Sequence, residues 1–564
     1  MKKQSFLVGS FILVISVIIT KIIGLFFKIP LANILGGTGM GYFSCAYAIF
    51  MPVYSVSVTG LPAAVSRMVA ENMAFEHYAN VRKIRRAAIL GFSGIGILSA
   101  VAIFALASPF TKYVVENEKS YPALIAIAPC IFFGAVLSVY RGYYEGMRNM
   151  FPTAISQIIE SFVKLIAGLG FAYGAMMYAN DCFEKTGKVF GTVCESLEQA
   201  QSMALPYVAA AAIAGVTLSS GVALLYLMIR YSLFSDGITK EMLKGDKTTE
   251  RKRDLLKQLI RIVIPIALGS IVTNLTSLID LGTIIRCLNT TIKNNTVYFL
   301  HHYRNILDNN MTLSMIPNFI YGSFTGLAIT VFNLVPSMTN MFGKGILPNL
   351  AEAWAVKDRQ RVKKNIHSVI SVTGIISIPA GIGMAVLANP ILNLLFSSRP
   401  EEVMSISRSM SILGIGVIFL SLSIPAFAML QAIGRADLPV KIMIVGVIIK
   451  LIGNVSLIYI PQINVDGAAI STTICYLFIC IACQRCIKKL TGVKLDIKRL
   501  YLKPGFAGII CGASAYLINE VMTRYISAKI AVLGAIAFAG IIYLITLYLL
   551  DITEGKNIKE VFYK

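Results

Sequence analysis

The chain has 564 residues, of which 56% are hydrophobic and only 14% charged, and it carries a formal net charge of +23. A soluble domain devotes about a quarter of its residues to charge, so this composition excludes an ordinary soluble fold and indicates an integral membrane protein.

A helix needs about 20 apolar residues to cross a bilayer. Measured with that window, the sequence predicts an all-α membrane protein with about fourteen transmembrane helices, the first of which is retained because its long apolar run has no small-residue cleavage site. The predicted spans lie at 6–29, 39–63, 87–110, 121–140, 152–178, 202–229, 262–286, 317–342, 366–389, 408–430, 438–460, 465–484, 502–522 and 528–550.

The order of these spans predicts two related lobes. Residues 1–229 form an N-terminal lobe of six helices, 230–261 a charged cytoplasmic linker, 262–487 a C-terminal lobe of six helices, and 488–564 two further helices with a cytoplasmic tail. A proline pattern at Pro52 and Pro62 returns 284 and 286 residues later, at Pro336 and Pro348. Because six is even, the lobes are predicted to be parallel repeats around an axis along the membrane normal, with a cavity between them.

A second repeated feature places a lysine deep in each lobe. Gly146 and Pro152 precede Lys164, and Gly434 and Pro439 precede Lys450. At 1.5 Å per residue each lysine lies roughly 16 to 18 Å along the helix that begins at the proline, which is the middle of the hydrocarbon core.

Basic residues are distributed unevenly between the two sides of the predicted membrane. Loops and tails on the N-terminal side carry 35 Lys and Arg, and the seven opposite loops carry 10. The positive-inside rule therefore predicts a multi-pass protein of the cell membrane with both termini in the cytoplasm. Topology and contact with anionic lipids account for the net charge, so no nucleic-acid partner is expected.

Ionisable residues within or beside the spans are the candidate substrate site, because such a group in the bilayer centre costs at least about 2.5 to 3.5 kcal/mol unless it faces water, a partner or a ligand. An excess of cations in a cavity suits an anionic substrate such as pyrophosphate. The candidates are Lys21, Lys28, Arg67, Glu160, Lys164, Asp280, Arg286 and Lys450.

Several of these candidates have a simpler structural interpretation. Glu160 and Lys164 stand four residues apart and could form a pair that only fastens helices together. Lys28 could extend to the headgroups, Arg286 could anchor the outer interface, and Arg67 could be a positive-inside anchor.

Other motifs do not indicate catalysis or cofactor binding. Cys480, Cys483 and Cys486 have an iron–sulfur-like spacing but lack the usual fourth ligand, so we expect no metal and no cofactor. The sequence has no Walker loop or catalytic His-Glu motif, which favours a transporter over an enzyme. The outer loop at 179–202 contains Cys182 and Cys194, which could pair in an oxidising exterior.

The sequence resembles the stage V sporulation protein B and polysaccharide-exporter branch of the MOP flippase superfamily over nearly its whole length. The residues that carry the resemblance are Thr20 to Gly24, Lys28 to Pro30, Gly39 to Tyr42, Gly60 to Ser66, Gly146 to Ile159, Leu278 to Asp280 and Asp466 to Ile470. This branch is similar to the peptidoglycan lipid II flippase. The resemblance implies two six-helix lobes with two added helices and a cationic cavity that opens alternately to each side.

By that resemblance the substrate is an undecaprenyl-pyrophosphate-linked saccharide, and Lys21, Lys28 and Arg67 match basic positions of the first two helices. Relatives often have Arg where this chain has Lys, and the 287–316 outer insertion has no assigned role. The protein is expected to act as a monomer among membrane lipids, with its coupling ion left open. Two alternatives stand beside a flippase: a multidrug cation antiporter, which would need acids where this chain has lysines, and a scaffold without transport.

Overall fold

The computed structural model describes residues 6–234, 236, 238–239, 242–243, 250–303, 312–493 and 495–550. Lys247 and Lys559, the C-terminal segment 551–564, the basic Met1 to Lys3 run and part of the 287–316 insertion lie outside these residues. The chain divides into two compact units, Met1–Gly282 and Thr283–Lys564.

The first unit is a helical bundle with one small β-hairpin. Its helices are α1 Phe6–Tyr54, α2 Leu61–Ala74, α3 Tyr78–Pro109, α4 Tyr121–Gly146, α5 Phe151–Thr186, α6 Leu197–Leu233 and most of α7 Lys252–Asn294. The hairpin pairs β1 Lys188–Val189 with β2 Thr192–Val193 in antiparallel register. Helix α1 is broken at Gly36, whose φ of 59° and ψ of −175° are not helical.

The second unit contains the end of α7 and the remaining helices. They are α8 Thr296–His302, α9 Ile316–Ser323, α10 Ile329–Phe332, α11 Leu334–Ala355, α12 Arg359–Val386, α13 Ala388–Leu395, α14 Pro400–Ala432, α15 Asp437–Ile458, α16 Asp466–Thr491, α17 Lys503–Met522 and α18 Ala528–Leu549.

The structure confirms an all-α membrane fold. Within the described residues, twelve helical stretches are long and apolar enough to cross a membrane. The first, Ile15–Ala74, has 60 residues and contains most of the first two predicted spans, whereas the predicted span 262–286 lies in α7, which is not among the twelve. The count of fourteen therefore stays a prediction.

The two long loops that were predicted to be external contain secondary structure. The predicted loop at 179–202 contains the end of α5, the β-hairpin and the start of α6, and Cys182 and Cys194 are both free thiols. The predicted loop that begins at Cys287 contains the last turns of α7 and all of α8. Hydropathy marks only the apolar part of a helix, so a polar extension beyond the membrane is read as loop.

Helices α5 and α6 pack without a gap because two glycines meet. A Cβ added at Gly215 would lie 2.5 Å from the Cα of Gly168. Further along the same interface, Gln201 donates to Asn180 over 3.2 Å. The helices are therefore antiparallel, and their close approach positions the polar residues that α5 carries.

We expect Gly215→Ala to lower the free energy of unfolding by about 1 to 3 kcal/mol, because the new methyl group collides with backbone atoms that cannot rotate away. Gly170→Ala is the matched control, since a Cβ there meets no atom within 4 Å and alanine favours the helix. Thermal unfolding in detergent measures both. Equal midpoints for the two variants would contradict the close packing.

Both units contain the same turn, which follows α2 in the first unit and α11 in the second. Glu76 follows α2 with a φ of 60°, and Lys357 follows α11 with a φ of 55°. In each turn the next amide bonds a carbonyl five residues earlier: His77 to Asn72 at 2.8 Å and Asp358 to Ala353 at 3.0 Å. The two units thus share local architecture, as expected of a repeat.

Candidate functional site

The polar core of the first unit is built around one ion pair between α4 and α5. Arg141 donates from Nη2 to Oε2 of Glu160 over 2.8 Å and from Nε to the Ser156 hydroxyl over 2.9 Å. The other Glu160 oxygen accepts from the Ser220 hydroxyl of α6 at 2.9 Å. The Arg141 and Glu160 side chains are 14% and 26% exposed. Partly buried charges are stable when they are paired and hydrogen-bonded in this way.

Glu160 therefore has a partner that the sequence did not suggest. Lys164, one turn further along α5, is within coulombic range of Glu160, but the ion pair is made by Arg141. The helices that carry Arg141 and Glu160 are joined by the short segment 147–150, and the two residues meet where these helices pack side by side. The guanidinium fork can reach two acceptors at once.

Three predicted lysines form a group in the first unit. Lys28 is within coulombic range of both Lys164 and Lys21, and Lys164 is within range of Lys21. Lys21 is exposed, whereas Lys28 and Lys164 are half-buried. Glu160 is a carboxylate beside this group, and it is already paired with Arg141. Helices α1 and α5 thus bring three cationic side chains into coulombic range of one another.

Aromatic side chains of α1 lie beside this lysine group. The Lys164 Nζ lies 5.1 Å from the centroid of the Phe27 ring, a separation at which a cation is attracted to the ring face. Successive ring contacts, with centroids 4.8 to 6.4 Å apart, connect Phe27, Phe43, Tyr47, Phe50 and Tyr54. An apolar surface beside the lysines strengthens their attraction for an anion, because the local dielectric constant falls.

Arg67 and Asp280 also belong to the first unit, where one is exposed and the other is buried. The Arg67 side chain is 66% exposed, and its Nε lies 2.8 Å from Oε1 of Glu71, one turn along α2. Arg67 is therefore held in an ion pair of its own helix rather than in the lysine group. Asp280 is buried in α7, near the end of the first unit.

The remaining two predicted residues belong to the second unit. Lys450 is 3% exposed in α15, which makes it the most buried of the predicted cations. One turn further, Asn454 donates to the Thr283 hydroxyl of α7 over 2.8 Å. Arg286 lies one turn beyond Thr283 and is exposed, within coulombic range of Tyr459. Lys450 thus lies on a helix that is hydrogen-bonded to the start of its unit.

A linker residue outside the predicted site is also firmly bound. The Asp236 carboxylate accepts two hydrogen bonds from Arg82, at 3.1 and 3.0 Å, and one each from the Tyr143 hydroxyl and the Ile238 amide, at 3.0 and 3.1 Å. Burial tends to raise the pKa of Asp236, but the hydrogen bonds from Arg82, Ile238 and Tyr143 outweigh it and lower the pKa below the usual value. This contact ties the start of the linker to α3 and α4.

We expect Asp236→Asn to lower the free energy of unfolding by about 2 kcal/mol at neutral pH, because hydrogen bonds to a charged group are lost. Since the native pKa is depressed, this contribution is present above the unfolded pKa of about 3.9 and disappears as the pH falls through the native pKa. Unfolding measured against pH should therefore show the parent and variant converging in acid. Asp181→Asn is the control, because Asp181 makes an exposed pair with Lys185 and should change stability by less than about 1 kcal/mol.

Comparison with known proteins finds two sequence-family models that each match part of this chain. The family described as Lipid II flippase MurJ matches residues 311–536, and the family described as Polysaccharide biosynthesis protein matches residues 6–180. The chain is 23% identical to stage V sporulation protein B of Bacillus subtilis, over 100% of this chain and 98% of that protein.

Two solved structures share the fold. A lipid II flippase MurJ in an inward closed conformation superposes with a TM-score of 0.63 at 13% identity, over 95% of this chain and 98% of that one. An inward-facing multidrug resistance MATE family transporter of the MOP superfamily superposes with a TM-score of 0.55 at 13% identity, over 84% of this chain and 96% of that one.

Proposed function

We propose that this chain belongs to the MOP flippase superfamily, in the branch of stage V sporulation protein B and the polysaccharide exporters, and that it is a flippase. It moves an undecaprenyl-pyrophosphate-linked saccharide, such as lipid II or a polysaccharide repeat unit, across the cytoplasmic membrane by alternating access. The observation that carries this proposal is the group formed by Lys21, Lys28 and Lys164.

The chemistry of the lysine group suits a pyrophosphate. Ammonium groups donate charge-assisted hydrogen bonds to phosphate oxygens, which are roughly twice as strong as neutral ones. Three mutually repelling cations also gain when an anion arrives between them, and the aromatic surface beside Lys164 limits screening by water. Arg67, Asp280, Arg286 and Lys450 are proposed as further cavity residues, with Glu160 positioned by Arg141.

The same charges argue against a cation antiporter. A site that binds organic cations needs a carboxylate available to the ligand. Glu160, which lies beside the lysines, is engaged by Arg141 and Ser220. Asp280 is the one other acid in the proposed cavity set, which contains six cations. A scaffold without transport would not need partly buried lysines at all. The protein makes no covalent change to the saccharide, and an ion gradient, the membrane potential or the substrate's own gradient drives the movement.

Reconstitution tests the flippase. The purified chain is placed in liposomes with a fluorescent undecaprenyl-pyrophosphate-linked oligosaccharide, and an impermeant reagent quenches whatever reaches the outer leaflet. Without flipping, only the roughly half of the lipid that starts in the outer leaflet is quenched. With the protein present, we expect quenching of the lipid that starts in the inner leaflet as well. The matched control is the same protein with a fluorescent organic cation trapped inside. Export of the cation with no movement of the lipid would favour the antiporter instead.

We further propose that the protein lies in the cell membrane as a monomer, with both termini in the cytoplasm and the two lobes as parallel repeats separated by the 230–261 linker. Cysteines introduced at Lys247 and Lys559 should react with an impermeant maleimide only after the cells are opened, and one at Asn294 should react in intact cells. The background variant carries Cys182→Ser and Cys486→Ser, because these two native thiols are only partly buried. Labelling of Lys559→Cys in intact cells would overturn the orientation.

A further inference from the structure

The second unit has a cavity at the ends of three of its helices that the proposed transport does not use. It has a volume of about 480 Å³ and lies where α11 ends, α12 begins and α16 ends. Trp354, Lys357 and Arg359 line one side, and Thr491 and Gly492 line the other. A volume of this size falls within the range of small-molecule sites.

Three hydrogen-bond donors line this cavity: the Lys357 ammonium, the Arg359 guanidinium and the Trp354 indole. Among the residues that the structure describes, none makes an ion pair or hydrogen bond with the Lys357 ammonium, the Arg359 guanidinium or the Trp354 indole. The nearest carboxylate in sequence, Asp358, caps α12 by accepting from the amides of Gln360 and Arg361. The described lining therefore contains two cations and no acid.

In the first unit, the cleft that corresponds to this cavity is filled by the linker. Trp354, Arg359 and Val362 correspond to Met73, Tyr78 and Val81 through the turn that both units share. In the first unit those three residues pack in one cluster with the linker residues Ile238 and Met242. The linker carboxylate Asp236 is bound there by Arg82. One unit thus fills the cleft with its own chain and binds an anion beside it, whereas in the other the described residues leave the cleft open and lined with donors.

We propose that the cavity of the second unit is a binding site for a phosphate group, held by Lys357, Arg359 and the Trp354 indole. Phosphate offers acceptor oxygens to a guanidinium fork and an ammonium at the same time. The cavity lies at the ends of membrane helices, and tryptophan and basic residues are typical of the headgroup level. Anionic phospholipid is the abundant phosphate at that level, and free phosphate is the other source.

Trp354 reports on this site directly, because it is the only tryptophan in the chain. The full-length protein is reconstituted in phosphatidylcholine vesicles that contain brominated phosphatidylglycerol or, in a parallel sample, brominated phosphatidylcholine. Bromine quenches tryptophan fluorescence only at short range. Brominated phosphatidylglycerol should quench Trp354 more strongly than brominated phosphatidylcholine does. The association constant of phosphatidylglycerol relative to phosphatidylcholine should fall about 25-fold in Lys357→Gln/Arg359→Gln, since each basic residue near an anionic surface contributes about fivefold.

Lys363→Gln/Lys364→Gln is the matched control, because it removes two charges from the first turns of α12 without touching the cavity lining. This control variant should keep the preference for phosphatidylglycerol over phosphatidylcholine. Loss of the preference in this control as well would mean that general surface charge attracts the lipid, and the site would be rejected. An unchanged Trp354 emission maximum in pure phosphatidylcholine shows that each variant is folded.

Inorganic phosphate, added to vesicles of pure phosphatidylcholine, separates the two sources. A shift of Trp354 emission that Lys357→Gln/Arg359→Gln abolishes, without a preference for phosphatidylglycerol, assigns the site to free phosphate. A preference for phosphatidylglycerol without that shift assigns it to lipid. Neither response in the parent protein overturns the proposal.

Discussion

Replacing Glu160 with glutamine will lower the free energy of unfolding by about 3 kcal/mol, because the Arg141 guanidinium is left as a partly buried charge without its anion. The side chains are 14% and 26% exposed, so water can compensate only in part. Thermal unfolding followed with a thiol-reactive dye measures the change well, since eight of the ten cysteines are buried in the folded protein.

A double variant separates the ion pair from simple loss of packing. Arg141→Met/Glu160→Gln removes both charges and should recover at least half of the stability that Glu160→Gln loses. The second lobe supports this expectation, because Met429 and Gly446 occupy the matching places before Gly434 and Lys450.

Arg67→Met/Glu71→Gln provides the control, since that pair is 66% and 52% exposed and should contribute less than about 1 kcal/mol. If Glu160→Gln behaves like this surface variant, the Arg141 pair is not a structural centre of the first unit.

Most of the helices could be predicted from hydropathy, because a bilayer imposes both the length and the apolar character of a crossing. What could not be predicted is how far the helices continue into water. Helix α5 runs to Thr186, well past the predicted end at 178, because its last turns are polar and resemble a loop in composition. The lysines could be located for the same reason that the helices could: a charge inside an apolar run is conspicuous.

The Arg141–Glu160 pair was missed for a physical reason. Arg141 lies one residue beyond the predicted fourth span, which ends at 140, whereas α4 continues to Gly146. A signal was present in the sequence, since Arg141 and Glu160 are opposite charges on two helices that a short turn joins. In a helical hairpin, opposite charges on the two helices can pair where the helices pack together. The Asp236 contact with Arg82 had no such signal, because 154 residues separate the partners.

Replacing Lys28 with glutamine will have opposite effects on stability and transport. Lys28 is within coulombic range of Lys21 and Lys164, so removing its charge relieves repulsion and should leave the protein equally or more stable. The phosphate of the substrate loses one charge-assisted contact, which is a loss of roughly 1.5 to 3 kcal/mol and therefore at least about tenfold in flipping rate. Lys28→Arg should retain transport, because the guanidinium suits phosphate.

This opposition distinguishes a substrate site from a structural contact. A lysine that only fastened helices would lose stability and transport together, whereas a lysine kept for its ligand is costly to the empty protein. We expect the same loss of transport without loss of stability in three further variants: Lys21→Gln, Lys164→Gln and Lys450→Gln. The control is Lys185→Gln, on the exposed end of α5 beside Asp181, which should change neither stability nor transport. Flipping of the lipid-linked saccharide and thermal unfolding are measured on the same preparations. If Lys21→Gln and Lys28→Gln flip lipid at the parent rate, the lysine group does not hold the pyrophosphate, and the transport proposal loses the observation on which it rests.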